Sequence, residues 1–134
     1  MRRAGPLLLV SLLALVLGAC ASARGAPASD ATITIRYSHF APAPITARVG
    51  EPVTITLRND DPIEHEWIVG TEEVHERHRT GAEPYHAEVP SEVTVPALST
   101  RVSTLTFAEP GDYLYICHLP GHEAYGMVGT LRVE

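Results

Sequence analysis

Residues 115–127 read Tyr-Ile-Cys-His-Leu-Pro-Gly-His-Glu-Ala-Tyr-Gly-Met, which sets a thiol, an imidazole and a thioether at five-residue intervals. For Cys117, His122 and Met127 to meet at one ion, this segment must loop back on itself, and Pro120, Gly121 and Gly126 supply the turns. A soft thiolate, an imidazole and a weak axial thioether are copper ligands of the blue type, and a second imidazole completes the set. The donor is His65, in residues 59–67, Asn-Asp-Asp-Pro-Ile-Glu-His-Glu-Trp. Such an ion must change oxidation state while its ligands stay in place, so the loop requires a rigid scaffold.

The chain begins Met-Arg-Arg and continues into an uncharged, Leu- and Val-rich stretch that ends Leu-Gly-Ala-Cys at Cys20. Positive residues, a short apolar core and then small residues are the pattern of an export signal, and the core is shorter than the roughly 20 residues of a membrane-spanning helix. The Leu-Gly-Ala-Cys ending resembles a bacterial lipobox. Residues 1–20 are therefore expected to be a signal whose Cys20 is lipid-modified, with cleavage after residues 21–23, Ala-Ser-Ala, as the competing reading. Residues 21–30 are small and polar, a flexible tether, and the folded domain is expected over residues 31–134.

Of two cysteines, one is thus used in the signal, and Cys117 stands alone. An unpaired thiol in an exported protein asks for burial or for metal ligation. Met127, the sole methionine after the initiator, favours ligation by its placement.

Removing Arg2 and Arg3 from the 10 basic residues leaves 8 against 16 acids, a formal charge of −8, with no lysine anywhere. That balance argues against nucleic acid and anionic lipid headgroups as partners and mildly favours a basic docking partner, with plain solubility the stronger reading of the two.

From residue 31 onward apolar residues alternate with polar ones. Ile33 and Ile35 alternate with Thr32, Thr34 and Arg36, and Val53, Ile55 and Leu57 with Thr54, Thr56 and Arg58. The rhythm returns around Val93 and Val95, and again over residues 101–107, 112–117 and 127–133, with Gly, Pro, Asn and Asp breakers between. The fold class expected is all-β, an antiparallel Greek-key sandwich with a short helical or loop insertion. On the strand leading to the loop, Tyr113, Tyr115 and Cys117 share one face, which points the thiol between the sheets.

The insertion is the charged segment 71–81, expected to form one or two helical turns ended by Gly81. His75 and His78 would share a helix face, with His86 further on, so a second metal site there is one reading and a solvated loop the other. His39 reads as a structural or surface histidine.

Residues 31–70 and 90–134 resemble the cupredoxins, the plastocyanin and azurin class of small blue copper proteins, through the Asn-Asp segment carrying His65 and the Tyr-x-Cys-x4-His-x4-Met loop. The Cys-to-His spacing looks more like azurins or rusticyanin than plastocyanins. The resemblance implies one type 1 copper per chain, held by His65, Cys117, His122 and Met127, and a one-electron carrier that is not an enzyme. It further implies an electron exit at His122, rimmed by Leu119, Pro120, Ala124 and Tyr125 with Pro62 and Ile63 opposite. Redox proteins are then the expected partners, the membrane a second one through Cys20, and the chain a monomer outside the cytoplasm or in the periplasm.

Two other readings compete. The Cys117-His118 pair also resembles the type 1 ending of multicopper oxidases, but residue 116 is Ile, no His-x-His pair occurs, and one domain is too small for a trinuclear centre. Copper storage or delivery is the other, disfavoured by a ligand set with one Cys, two His and one Met.

Overall fold

Alternation becomes a pair of packed sheets in the computed structural model, which describes residues 30–81 and 89–134. The expected signal, Cys20 and His86 lie outside the described residues, as does all but the end of the tether. Strand β1 (Asp30–Arg36) buries Ile33 and Ile35, and β4 (Pro52–Asn59) buries Val53, Ile55 and Leu57, while the threonines between them face outward. β-Branched residues suit such half-buried pleated surfaces.

The first sheet runs β2 (His39–Ala41), β1, β4, β7 (Thr100–Thr106). The second runs β3 (Ile45–Ala47), β9 (Val128–Val133), β8 (Gly111–Ile116), β5 (His65–Gly70), β6 (Glu92–Val95). One apolar core fills the space between them and contains Trp67, Tyr115, Cys117 and Met127, all fully buried. The expected β-sandwich is therefore present and mostly antiparallel. Two pairings are parallel, β1 with β4 and β3 with β9, a feature that alternation alone does not distinguish.

Segment 71–81 is helical over α1 (Glu72–Arg79), and Gly81 follows it at φ 67°. Acidic residues open α1 and basic ones close it, which suits the helix dipole. α1 covers the outer face of β5, so this strand is buried on both sides over Trp67, Ile68 and Val69, three consecutive apolar residues instead of an alternation. For that reason it carries no period-two signal. Gly70 sits against Val74 so closely that a methyl group there would meet the valine side chain at 2.9 Å.

Candidate metal centre

The two segments singled out in the sequence meet at one end of the sandwich. Cys117 follows directly on β8 and Met127 directly precedes β9, so the two residues face each other where the β8–β9 ladder ends; the Cys117 N–H donates to the Met127 carbonyl at 3.2 Å. Between them the chain makes a single helical turn, α2 (His122–Tyr125), with Gly121 and Gly126 on its flanks at φ 85° and 102°. Glycine tolerates these left-handed angles where other residues are strained. Internal bonds close the loop: His122 N–H to Leu119 O at 3.0 Å, and Met127 N–H to His122 O at 3.0 Å. The loop that the sequence requires is thus braced by its own backbone.

His65 opens β5 from the opposite side. Asn59, buried at the end of β4, fixes the approach to it by donating its side-chain amide to the carbonyls of Ile63, Val95 and Pro96 at 2.8 to 3.1 Å and accepting the Asp61 N–H at 2.9 Å. His65 Nε2 donates to Asp61 Oδ2 at 2.9 Å, which turns Nδ1 toward the loop. There the Nδ1 atoms of His65 and His122 stand 3.3 Å apart, and Cys117 Sγ lies 3.2 Å from His122 Nδ1. These three donor atoms all lie within 4.8 Å of one another. Met127 is buried next to Cys117 in the same core cluster.

Burial sets the protonation of the metal-free site. It holds His65 below the ordinary imidazole range, against the pull of Asp61, and raises the Cys117 thiol. The Glu66 N–H donates to Cys117 Sγ at 3.3 Å, a bond that supports negative charge on sulfur. Two imidazole nitrogens and a thiol able to lose its proton, with Met127 buried in the same cluster, suit a borderline-soft transition ion such as copper and do not suit a hard one.

Asp61 is the functional residue that the sequence reading did not find, although it lies inside the quoted 59–67 segment. Burial would raise its carboxyl, but the N–H groups of Ser38 and Tyr37, at 2.8 and 2.7 Å, together with His65, hold it below the usual carboxylate range. Tyr37 and Ser38 are both left-handed, at φ 54° and 55°, and form the two-residue turn between β1 and β2. One carboxylate thus stabilises a strained turn and orients a ligand. Because its folded pKa is depressed, Asp61 contributes stability above the unfolded value near 3.8 that is lost as pH falls through the folded one. In the metal-free protein, Asp61→Asn is expected to cost about 1–3 kcal/mol at neutral pH and to abolish that acid-side loss. Thermal melts of both forms from pH 7 to pH 2 check this; parallel profiles contradict it.

The remaining histidines divide into two groups. His39 is exposed, as expected, with Nδ1 donating to Tyr37 O at 2.7 Å and its ring edge-on to Tyr125 at 5.2 Å. His75 and His78 do share a face of α1, but that face meets His118, the neighbour of Cys117, in an arrangement the sequence did not suggest. Burial, first among several causes, pushes His118 down to about 4, so its ring is neutral. Arg79 closes this side with a forked bond to Glu123 of α2, at 2.7 to 3.1 Å, which ties α1 to the ligand loop. At the solvent edge Pro62, Ile63, Pro120, Ala124 and Tyr125 are exposed, and Leu119 and His122 half-buried.

Residues 7–131 match the family model described as Cupredoxin-like domain. The chain is 35% identical over 99 residues to the copper-resistant cuproprotein CopI of Rubrivivax gelatinosus, a match covering 71% of this chain and 59% of that protein. Auracyanin A, a "blue" copper protein from the green thermophilic photosynthetic bacterium Chloroflexus aurantiacus, superposes with a TM-score of 0.61 at 27% identity, over 78% of this chain and 98% of that one. Dithionite-reduced auracyanin from the photosynthetic bacterium Roseiflexus castenholzii gives a TM-score of 0.69 over 81% of this chain and 99% of that one; at 20% identity it speaks for the fold alone.

Proposed function

The chain belongs to the cupredoxin-like family, and on that premise we propose that it is a type 1 copper protein that carries single electrons outside the cytoplasm. The observation that carries this reading is the convergence of His65 Nδ1, Cys117 Sγ and His122 Nδ1 beside buried Met127. Copper, when bound, supplies the one-electron couple. Cys117 would hold it as the thiolate after losing its proton, His65 and His122 would offer ring nitrogens, and Met127 would add a weak thioether. Asp61 holds the tautomer of His65, and the Glu66 N–H supports charge on the sulfur. The closed hydrogen bonds of the loop hold Cys117, His122 and Met127, and Asp61 holds His65, so that the four side chains would stay in place through a change of oxidation state, which lowers the barrier to electron transfer.

Electrons leave through His122, the half-buried ligand, and a redox partner docks on the apolar rim formed by Ile63, Leu119 and Tyr125. The acidic surface favours a basic border on that partner. The protein acts as a monomer, held at the membrane by lipid on Cys20, and performs no catalysis of its own.

The deciding experiment is an optical spectrum of the protein loaded with Cu(II), then reduced and reoxidised. An intense visible band that bleaches and returns supports the carrier. A colourless copper complex overturns it. Met127→Leu is expected to retain the metal and the band while raising the reduction potential, because removing a weak donor destabilises the oxidised state more than the reduced one; voltammetry on both proteins checks it.

Likeness to CopI favours a second reading, copper storage or delivery in copper resistance. Competition with a Cu(I) chelator separates the two: a carrier keeps its copper after reduction, whereas a delivery protein gives it up rapidly.

A further inference from the structure

α1 reaches the metal-binding loop at two places, and each is the residue directly after a ligand. His75 meets His118, which follows Cys117, and Arg79 meets Glu123, which follows His122. His75 and Arg79 are four residues apart on α1 and so lie on one face of it. Beyond bonds within residues 117–128, the hydrogen bonds of the loop's non-ligand residues all reach α1 among the described residues.

Both contacts are directional. His75 is fully buried and its Nε2 donates to Leu114 O on β8 at 3.2 Å, so Nδ1 of the neutral ring is an acceptor and takes the His118 Nε2–H at 3.0 Å. The His78 ring stacks on His118 with centroids 5.2 Å apart, which restricts how that ring can turn. Arg79 sets Nε and Nη2 on the Glu123 carboxylate at 2.7 to 3.1 Å, a fork that fixes orientation as well as distance. Glu72 and Glu76 hold the same guanidinium from the helix side, and Val74 seats the helix against Gly70 of β5.

Stability alone does not account for this arrangement. The Arg79 and Glu123 side chains are 31% and 33% exposed, and an ion pair so open to water adds little. Buried imidazoles, for their part, pack no more cheaply than apolar side chains. Position is what the contacts do fix. Backbone bonds within the loop set its shape, whereas the bonds to α1 set where the residues next to Cys117 and His122 stand relative to β5 and β8.

On the copper reading of the loop given above, we propose that His75 and Arg79 are positioning residues for the metal centre. Through His118 and Glu123, α1 clamps the loop from outside, so that Cys117 and His122 keep their separation and a bound copper ion leaves slowly. Partners of this kind, one step removed from the ligands, govern how firmly a site holds its metal.

The test compares the wild-type full chain with Arg79→Met, His75→Leu and His75→Gln. In the metal-free proteins, amide hydrogen exchange at His122 and Met127, both bonded within the loop, is expected to quicken roughly tenfold in Arg79→Met and His75→Leu while β1 and β4 exchange as in the wild type. Glutamine can accept from His118 and donate to Leu114 at once, so His75→Gln should stay near the wild-type rate. Loaded with copper and then reduced, the two loosened variants are expected to lose metal to a Cu(I) chelator roughly tenfold faster than the wild type. Wild-type exchange or wild-type metal loss in the folded Arg79→Met and His75→Leu proteins overturns the clamp. A wild type without a visible copper band overturns the copper reading and the metal-holding role with it, and the metal-free exchange distinguishes that failure from a failure of the clamp.

Discussion

Cys117→Ser is expected to abolish the visible band of the copper-loaded protein and to weaken its hold on copper by orders of magnitude. The band requires charge transfer from a thiolate, and a serine hydroxyl neither ionises near neutral pH nor offers a soft donor. The fold should survive the exchange. Serine is nearly isosteric, the Glu66 N–H that reaches Sγ at 3.3 Å can donate to Oγ, and His122 Nδ1, 3.2 Å away, can accept from it. A melting temperature within a few degrees of the wild type, with no colour, is therefore the expected pair of results. Retention of the band would remove Cys117 from the ligand set, and the reading of the whole loop with it.

The second large effect concerns stability. Tyr115 and Gly129 are directly opposed on β8 and β9, and the buried Tyr115 ring lies across the glycine. A Cβ built on Gly129 falls within the tyrosine ring, against Cε2, Cζ and Oη, so any side chain here must displace Tyr115. The ring has little room to move: it packs edge-on to Phe40 with centroids 5.2 Å apart, lies 6.1 Å from the Trp67 ring, and its hydroxyl donates to Pro42 O at 3.2 Å. Gly129→Ala is expected to cost on the order of 3 kcal/mol, the upper end of overpacking penalties. Denaturant unfolding of the metal-free protein measures it. In a Tyr115→Leu background the same substitution should cost less than half as much, and an unchanged cost would show that the ring is not the obstacle. Because Tyr115 precedes Cys117 by one strand repeat, Gly129→Ala should also broaden the visible band by disordering the thiolate's position.

The sequence was most informative where the relevant contacts are local. Cys117, His122 and Met127 could be paired from spacing alone because one short loop carries all three, and its turns are marked by Pro120, Gly121 and Gly126. Strands β1 and β4 were legible because one face meets the core and the other meets water, which imprints a period of two on them. β5 left no such imprint, since α1 covers its second face and Trp67, Ile68 and Val69 are consecutively apolar. The three-residue strands β2 and β3 are too short to show a period at all.

Whatever depends on two distant segments meeting was decided by the tertiary structure. The roles of Asp61, which binds a turn 23 and 24 residues earlier, and of Gly129, which accommodates the Tyr115 ring, follow from register and not from composition. The same holds for the parallel pairings, and for the meeting of His75 and His78 with His118, 43 residues beyond His75. From its sequence alone the chain determined an all-β scaffold and the chemistry of its metal loop, because hydrophobic alternation and ligand type are written in adjacent residues. Only packing settled which nitrogen of each histidine faces inward, since a ring's orientation is fixed by the carbonyl or carboxylate that the fold brings to its other side.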